Sequence, residues 1–294
     1  MLRRLAALTL ALLLLAPGAL ATNYPVTVVD DLGRDVTLTA VPERVVSMLP
    51  SHTESVCAVG ACAALVGVDT YSNYPASVTG LPTLGDAFGP DLEAIVALEP
   101  DFVLVDEYSG LQAPLEALGI AVYAGSPQTI AETYDFLTTL GTLLDRETEA
   151  AVLVGRLQGE LAGVASVLAG VNGPTVFVEL DPTPYSVGPG SYLDELVAAA
   201  GGVNVVTAAM GPFPQVDPEY VVLQDPAFIL LTDAPFGVTA ADVAARPGWG
   251  GLTAVVSGRV VEIDQETADV LSRSGPRLGE AVRRLAAIFH PGMF

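Results

Sequence analysis

The chain has 294 residues and is strongly acidic, with 34 Asp and Glu residues against 12 Arg and no Lys, a formal net charge of −22. A surface of this charge repels nucleic acid and anionic lipid, which excludes both as expected partners, and it favours a basic partner surface. The length is sufficient for two domains of ordinary size, each with its own core.

The first 21 residues have the pattern of a secretory signal peptide. Arg3 and Arg4 form its positive end, 5–15 its apolar run, and 19–21 a cleavage site of small residues. A Pro-Gly pair ends the apolar run well short of a membrane span. The residue directly after the predicted cleavage point is Thr22 and not a cysteine. We therefore expect a periplasmic or otherwise extracytoplasmic protein that is not lipidated and has no direct membrane anchor.

The first half of the chain alternates predicted strands with helices. Residues 26–38 alternate on both sides of a Leu-Gly turn, which is typical of a hairpin. Further strands are predicted at 44–50, 65–68, 102–105 and 120–123, with helices after most of them. This alternation favours a parallel α/β sheet, in which ligands bind beyond the carboxyl ends of the strands.

Cys57 and Cys62 are the two cysteines of the chain. Their spacing is poor for a bridge on a continuous helix, but Gly60 is predicted to end the helix and to let the chain fold back. An oxidising compartment favours a disulfide, and the geometry leaves the reduced form as the alternative. A metal site on two cysteines without a nearby histidine pair is not expected.

A stretch of 15 residues occurs twice, at 91–105 and at 217–231, and the copies align without a gap. In each copy an Asp caps a short helix, a Pro follows the helix, and a buried apolar strand comes next. The repeat predicts two lobes that contain the same helix–strand unit. It also places one surface glutamate on each lobe, Glu93 and Glu219.

The middle of the chain predicts one long helix over 145–169, capped by Asp145 and about 36 Å long at 1.5 Å per residue. Apolar residues repeat along one face of it: Leu157, Leu161, Val164 and Leu168. Such a helix can join two lobes, and an ordinary packing helix is the alternative. The expected organisation is a signal peptide at 1–21, a first lobe at 22–144, an inter-lobe helix at 145–170 and a second lobe at 171–294.

In the second half, strands are predicted at 175–180 and 259–264, and a closing helix at 273–289. Ser191, followed by Asp194, starts a helix in the manner of a capping box.

Four segments have a recognisable combination of residues: Arg-Val-Val-Ser-Met-Leu-Pro-Ser-His-Thr-Glu at 44–54, Leu-Val-Gly-Val at 65–68, Ser-Tyr-Leu-Asp-Glu-Leu at 191–196 and Ala-Gly-Gly-Val-Asn at 200–204. Together with the order of elements, they resemble the helical-backbone substrate-binding proteins of ABC importers, a family that takes up cobalamin, haem and ferric siderophores. The resemblance covers nearly all of the mature chain. It implies an α/β fold of two Rossmann-like lobes with parallel-rich sheets, joined by one long backbone helix, with the ligand cleft between the lobes.

Within this family the chain is most similar to the cobalamin-binding members, through segments at 71–75, 91–96, 212–216 and 268–277. Two positions at which those members have tryptophan carry other aromatic residues here. The resemblance implies seven ligand-binding residues: Tyr74, Phe88, Tyr108, Tyr185, Phe213, Asp269 and Arg273. Tyr and Phe suit a large flat ligand, because they offer broad apolar area with little rotamer entropy to lose.

The predicted ligand is therefore cobalamin or a related corrinoid, and haem or a ferric siderophore is the alternative. Anionic siderophores usually need several Arg or Lys, and the candidate cleft offers mainly Arg273. His52 is predicted to face the cleft, where it is either an axial ligand to cobalt or iron or a polar turn residue. Two histidines in the whole chain disfavour a zinc or manganese carrier, and no cofactor or resident metal is expected.

By their place in the repeat, the resemblance implies that Glu93 and Glu219 pair with arginines of a dimeric transmembrane permease. The alternative is that both are helix-start acids favoured by the helix dipole. The protein is expected to be a monomer when free. A secreted enzyme is a remote alternative: the sequence has no Gly-x-Ser-x-Gly elbow or His-Glu-x-x-His helix, and no catalytic residue is predicted.

Overall fold

The computed structural model of the protein describes residues 22–294, and the predicted signal peptide lies outside them. Among these residues there are ten strands: β1 Val26–Val29, β2 Asp35–Leu38, β3 Val45–Ser47, β4 Leu65–Val68, β5 Phe102–Val105, β6 Ala121–Ala124, β7 Thr175–Glu179, β8 Val203–Asn204, β9 Phe228–Leu231 and β10 Val260–Glu262. Eleven α-helices accompany them: α1 Pro50–Ala58, α2 Leu92–Ala97, α3 Gln112–Ala117, α4 Ile130–Leu143, α5 Glu147–Val167, α6 Tyr192–Ala199, α7 Pro218–Gln224, α8 Ala240–Ala245, α9 Thr253–Val256, α10 Gln265–Ser272 and α11 Leu278–Phe289.

Two four-stranded sheets, each parallel throughout, form the centres of two lobes. The first has the order β4-β3-β5-β6 and the second the order β8-β7-β9-β10. When the strands of each sheet are numbered separately in chain order, both sheets have the order 2-1-3-4. The repeat seen in the sequence therefore extends to the topology of both sheets. The predicted α/β fold with two lobes is confirmed. The predicted hairpin is β1 and β2, an antiparallel pair.

The repeated helix–strand unit has the predicted structure in both lobes. Asp91 accepts a hydrogen bond from the backbone N–H of Ala94 at 2.9 Å, and Asp217 accepts one from Glu219 at 2.8 Å. Glu99 and Asp225, at matching positions after the two helices, have φ of 47° and 43°. Strands β5 and β9 are buried along their whole length, as expected for central strands covered on both faces.

The long helix α5 has 21 residues and is about 32 Å long at 1.5 Å per residue. By length and apolar composition it is the one helix within 22–294 that could cross a membrane, but here it packs against α4 and α11. The predicted Asp145 cap is wrong. Asp145 has φ of 54° and accepts a hydrogen bond from the backbone N–H of Thr22 at 2.7 Å, which leaves Arg146 at the N-cap.

Three of the α-helices were not predicted: α4, the short α9 and α10. Helix α4 begins after Thr129, whose hydroxyl accepts the N–H of Glu132 at 3.1 Å, and it buries an apolar face between the lobes. The closing helix was predicted over 273–289, but α11 begins only at Leu278, and α10 ends at Ser272. Arg273 lies in the turn between α10 and α11, where its side chain can reach the first lobe.

One continuous cluster of buried side chains runs through both lobes. It includes Leu104 from β5, Leu157 from α5 and Val178 from β7. Each lobe also has a core of its own on the other face of its sheet, around Leu115 in the first lobe and Trp249 in the second. The lobes are therefore joined by packed apolar surface as well as by the chain.

Cys57 and Cys62 form a disulfide at the end of α1. Gly60 lies between them with φ of 87°, a conformation that favours glycine and that folds the chain back.

A candidate ligand cleft between the lobes

Two adjoining cavities lie between the lobes, of about 670 Å³ and about 300 Å³. Both are lined by Leu49, Ser51, Leu180, Leu193, Leu271 and Ser272. Leu49 follows β3 and Leu180 follows β7, so the cavities open at the carboxyl ends of the first strand of each sheet. This is where parallel α/β sheets bind ligands.

Two exposed aromatic residues stand on the walls of the larger cavity, one from each lobe. Tyr71 follows β4 in the first lobe, and Phe236, which is 84% exposed, follows β9 in the second. Sequence reasoning missed both. The signal was present, because each aromatic comes a few residues after a buried strand of a parallel sheet.

The Tyr71 loop is held by a buried carboxylate. Asp69 accepts a hydrogen bond from the backbone N–H of Tyr71 at 2.7 Å and another from the hydroxyl of Ser72. Burial raises the pKa of Asp69, and these two donors partly offset the rise. The Tyr71 ring is therefore presented from a fixed backbone.

Arg273 connects the two lobes and is not free to bind a ligand. Its Nη1 donates to Glu54 Oε1 at 2.8 Å and to Asn73 Oδ1 at 2.7 Å. Its Nη2 lies 2.8 Å from Asp269 Oδ2 and donates to the Tyr71 carbonyl at 3.2 Å. Arg277 also donates to Glu54, at 2.6 and 2.7 Å. Glu54 and Arg273 are buried, so the cluster is a desolvated ionic link between the lobes.

The structure brings three of the seven implied ligand residues to the cavities. Asp269 and Arg273 line the larger one and Phe213 the smaller one. Tyr74 lies instead under the guanidinium of Arg277, 4.6 Å from its ring centroid. The remaining three are exposed and lie outside the lining of both cavities: Phe88, Tyr108 and Tyr185.

The expectation that His52 faces the cleft is wrong. Its side chain is fully buried, and its ring lies 4.7 Å from the ring of Phe136 on α4. Burial lowers the pKa of His52 to about 3, so the ring is neutral at physiological pH. It belongs to the packing between α1 and α4 and cannot reach a metal in the cleft.

Glu93 and Glu219 are exposed at the start of α2 and α7. Their positions match in the repeat, one on each lobe. Within 22–294, no group of three or more His, Cys, Asp or Glu side chains is arranged to hold a metal ion.

The chain is 32% identical over 283 residues to the ABC transporter substrate-binding lipoprotein YvrC of Bacillus subtilis, covering 92% of this chain and 87% of the relative. This relative is a lipoprotein, and that finding contradicts the expectation that the protein is not lipidated and has no membrane anchor. A second relative, the cobalamin-binding protein of Halobacterium salinarum, is 28% identical and covers 92% of this chain and 75% of its own length.

Among solved structures, the periplasmic haem-binding protein RhuT of Roseiflexus sp. RS-1 superimposes with a TM-score of 0.74 at 25% identity. The match covers 86% of this chain and 99% of that one. The sequence profile described as periplasmic binding protein matches residues 45–267, a span that contains both sheets and the helix between them. The chain belongs to the periplasmic binding protein family.

Proposed function

We propose that the protein is the extracytoplasmic substrate-binding component of an ABC importer, and that it captures cobalamin or a related corrinoid between its lobes. Its relatives support this reading, since one is a substrate-binding lipoprotein of an ABC transporter and another a cobalamin-binding protein. No bond is made or broken. The protein binds its ligand, docks on a transmembrane permease and releases it there.

The charge of the cleft is the observation that favours a corrinoid. Arg273 is the only cationic side chain among the described residues that line the two cavities, and Glu54 and Asp269 already neutralise it. Burying an anionic ligand beside acidic side chains and an already paired arginine costs free energy, because no free cation compensates for the hydration that the ligand loses. A ligand with neutral carboxamides around a flat ring avoids that cost.

The polar lining of the larger cavity suits such a periphery. It offers amide and hydroxyl groups that can donate to or accept from carboxamides: Thr70, Asn73, Thr232, Gln265 and Ser272. Tyr71, Phe213 and Phe236 supply the apolar area for the ring. Of the residues implied by resemblance, Phe88, Tyr108 and Tyr185 remain candidates for the rim of the site.

Haem is the second candidate, because a haem-binding protein shares the fold at a TM-score of 0.74. Haem carries two propionates, however, which favour arginine or lysine partners. Because Arg273 is already paired with acidic side chains, we favour a corrinoid over haem. The same argument disfavours an anionic ferric siderophore.

We further propose that 22–144 and 171–294 form two lobes with limited motion about the helix at 145–170. We also propose that Glu93 and Glu219 dock on arginines of a dimeric permease. Exposed ion pairs each contribute only about 0.2–1 kcal/mol. The acidic surface therefore acts mainly by steering the protein to a basic partner. Changing both residues to Arg should abolish transport and leave ligand binding intact; unchanged transport would contradict this role.

The ligand proposal is tested by calorimetric titration of the purified mature chain with cyanocobalamin, cobinamide, haemin and a ferric siderophore. We expect saturable binding of cyanocobalamin or cobinamide and weaker or no binding of the two anionic ligands. Saturable binding of haemin or the siderophore, with neither corrinoid bound, would overturn the assignment.

A further inference from the structure

A third cavity, of about 830 Å³, lies on the second lobe, away from the cleft and beside Glu219. Proline, valine, leucine and tryptophan side chains supply most of its lining. We call it the α7 groove and define it by Pro184, Glu219, Val222, Leu223, Gly248 and Trp249. Trp249 is buried, whereas Leu223 is 79% exposed. Leu223 is thus a large apolar side chain that the lobe leaves in solvent next to an apolar cavity.

The groove is held in shape by an ion pair between a partly exposed arginine and a buried glutamate. Arg246, which also lines it, donates from both terminal nitrogens to Glu179 at 2.5 and 2.6 Å. The guanidinium lies 4.8 Å from the ring centroid of Trp249. Because Glu179 is fully buried, this pair fixes Arg246 and the ring beneath it, and the groove needs little ordering to receive a partner.

The charge around the groove is unbalanced. Glu179 neutralises Arg246, but Asp217 and Glu219 also line the groove and both are exposed acids. Asp217 caps α7 by accepting a hydrogen bond from the backbone N–H of Glu219. An apolar groove with an acidic rim is complementary to a segment that carries a basic side chain next to an apolar one.

The repeat supplies an internal comparison. Helix α2 of the first lobe carries Glu93 where α7 carries Glu219, but it has Ala97 where α7 has Leu223. The acid is therefore common to both lobes, whereas at this position of the helix only the second lobe carries a large exposed apolar side chain. Docking by ion pairs alone gives no reason for that difference.

We propose that the α7 groove is the anchor of the docked complex: it receives an apolar side chain of the permease, next to a basic residue that pairs with Glu219. This inference rests on the proposed transport function. A surface ion pair contributes little to affinity, whereas an apolar anchor seated in a preformed pocket dominates many interfaces. The second lobe then holds the membrane protein more tightly than the first.

The test is uptake of radiolabelled cyanocobalamin by cells of the native host that produce only the Leu223→Asp chain, with Ala97→Asp as the matched control. Both positions are exposed, so neither change should unfold the protein. We expect Leu223→Asp to lower uptake about tenfold or more, and Ala97→Asp by less than about twofold. Both chains should bind cyanocobalamin in calorimetry as the wild type does. An added acid would strengthen a purely electrostatic contact with a basic partner. Lower uptake with Leu223→Asp therefore shows that the contact at this position is apolar.

If Leu223→Asp leaves uptake at the wild-type level, or if both variants lower uptake equally, the proposed role of the groove is wrong. A wild-type chain that neither binds nor imports cyanocobalamin would instead contradict the proposed function, and this inference with it.

Discussion

At the scale of single residues, Glu54 decides how firmly the lobes are connected. It is buried and accepts hydrogen bonds from both Arg273 and Arg277 of the second lobe. Glu54→Gln removes the carboxylate that pairs with Arg277 and one of the two that pair with the buried Arg273, and we expect it to lower the free energy of unfolding by about 3 kcal/mol or more. Urea unfolding followed by circular dichroism measures the change.

The matched control is Glu160→Gln. Glu160 also lies beside two arginines, Arg156 and Arg283, but each of those side chains is about half exposed. Solvent replaces the lost contacts, so the expected cost is below about 1 kcal/mol. Equal effects of the two substitutions would show that the inter-lobe cluster is no more than a surface ion pair.

Asp233 is a buried acid with no hydrogen-bond partner for either carboxylate oxygen within 22–294. Burial, and then the nearby charge of Glu179, raise its pKa to about 6 from an ordinary 3.8. The folded state therefore binds this proton more tightly than the unfolded state, and the protein loses stability as the pH rises from about 4 through 6. Asp233→Asn should stabilise the protein by about 1 kcal/mol or more at pH 7.5 and have little effect at pH 4. Thermal unfolding at both pH values measures this, and an equal shift at both would contradict it.

Phe236 is one of the two aromatic residues on the walls of the larger cavity, and it was not predicted from the sequence. Its ring is exposed on one wall of the larger cavity, so a bound flat ligand would cover it. We expect Phe236→Ala to weaken cyanocobalamin binding about tenfold, since an aromatic contact of this kind contributes 1 kcal/mol or more. Phe88→Ala, at a fully exposed site outside both cavities, is the comparison in the same titration. A larger loss from Phe88→Ala would place the ligand at the rim.

At the scale of elements, the predictions that the structure confirms rest on local pattern. The repeated unit followed from a capping Asp, a Pro and a run of apolar residues, all close together in the chain. Helix α4 could also have been predicted, because Thr129 and Glu132 form a helix start and apolar residues follow at helical spacing.

The sequence did not determine which side chains line the cleft. Tyr71 and Tyr74 are three residues apart in one loop, and contacts distant in sequence determine which one reaches the cavity. Arg273 donates a hydrogen bond to the Tyr71 carbonyl, and the guanidinium of Arg277 covers the Tyr74 ring.

Helix α5 gives the prediction at this scale. Leu157 is fully buried in the cluster that joins the lobes, whereas Val152 on the same helix is 68% exposed. Leu157→Ala should cost about 2–5 kcal/mol of unfolding free energy, because it opens a cavity in packed apolar surface. Val152→Ala should change it by less than about 0.5 kcal/mol. Similar values from denaturant unfolding would mean that α5 is a solvent-exposed linker.

At the scale of the whole molecule, two links of different kinds join the lobes. One is the apolar cluster that runs from β5 through α5 to β7, and the other is the buried ionic cluster around Glu54. Proteins whose domains are joined only by a linker move freely, but a large apolar interface restrains such motion. We therefore expect ligand capture to involve small adjustments of the cleft walls and no wide opening of the lobes.

The same shared core predicts how the protein unfolds. If each lobe were stable alone, heating would give two transitions, one for each parallel sheet. Because the buried cluster contains side chains of both lobes, loss of one lobe exposes the apolar surface of the other. We expect a single calorimetric transition with a van't Hoff enthalpy close to the calorimetric one. Glu54→Gln should lower the midpoint of that transition without splitting it, since the apolar cluster remains. Two resolved transitions in the wild type would show that the lobes fold independently and that the packing between them is weak.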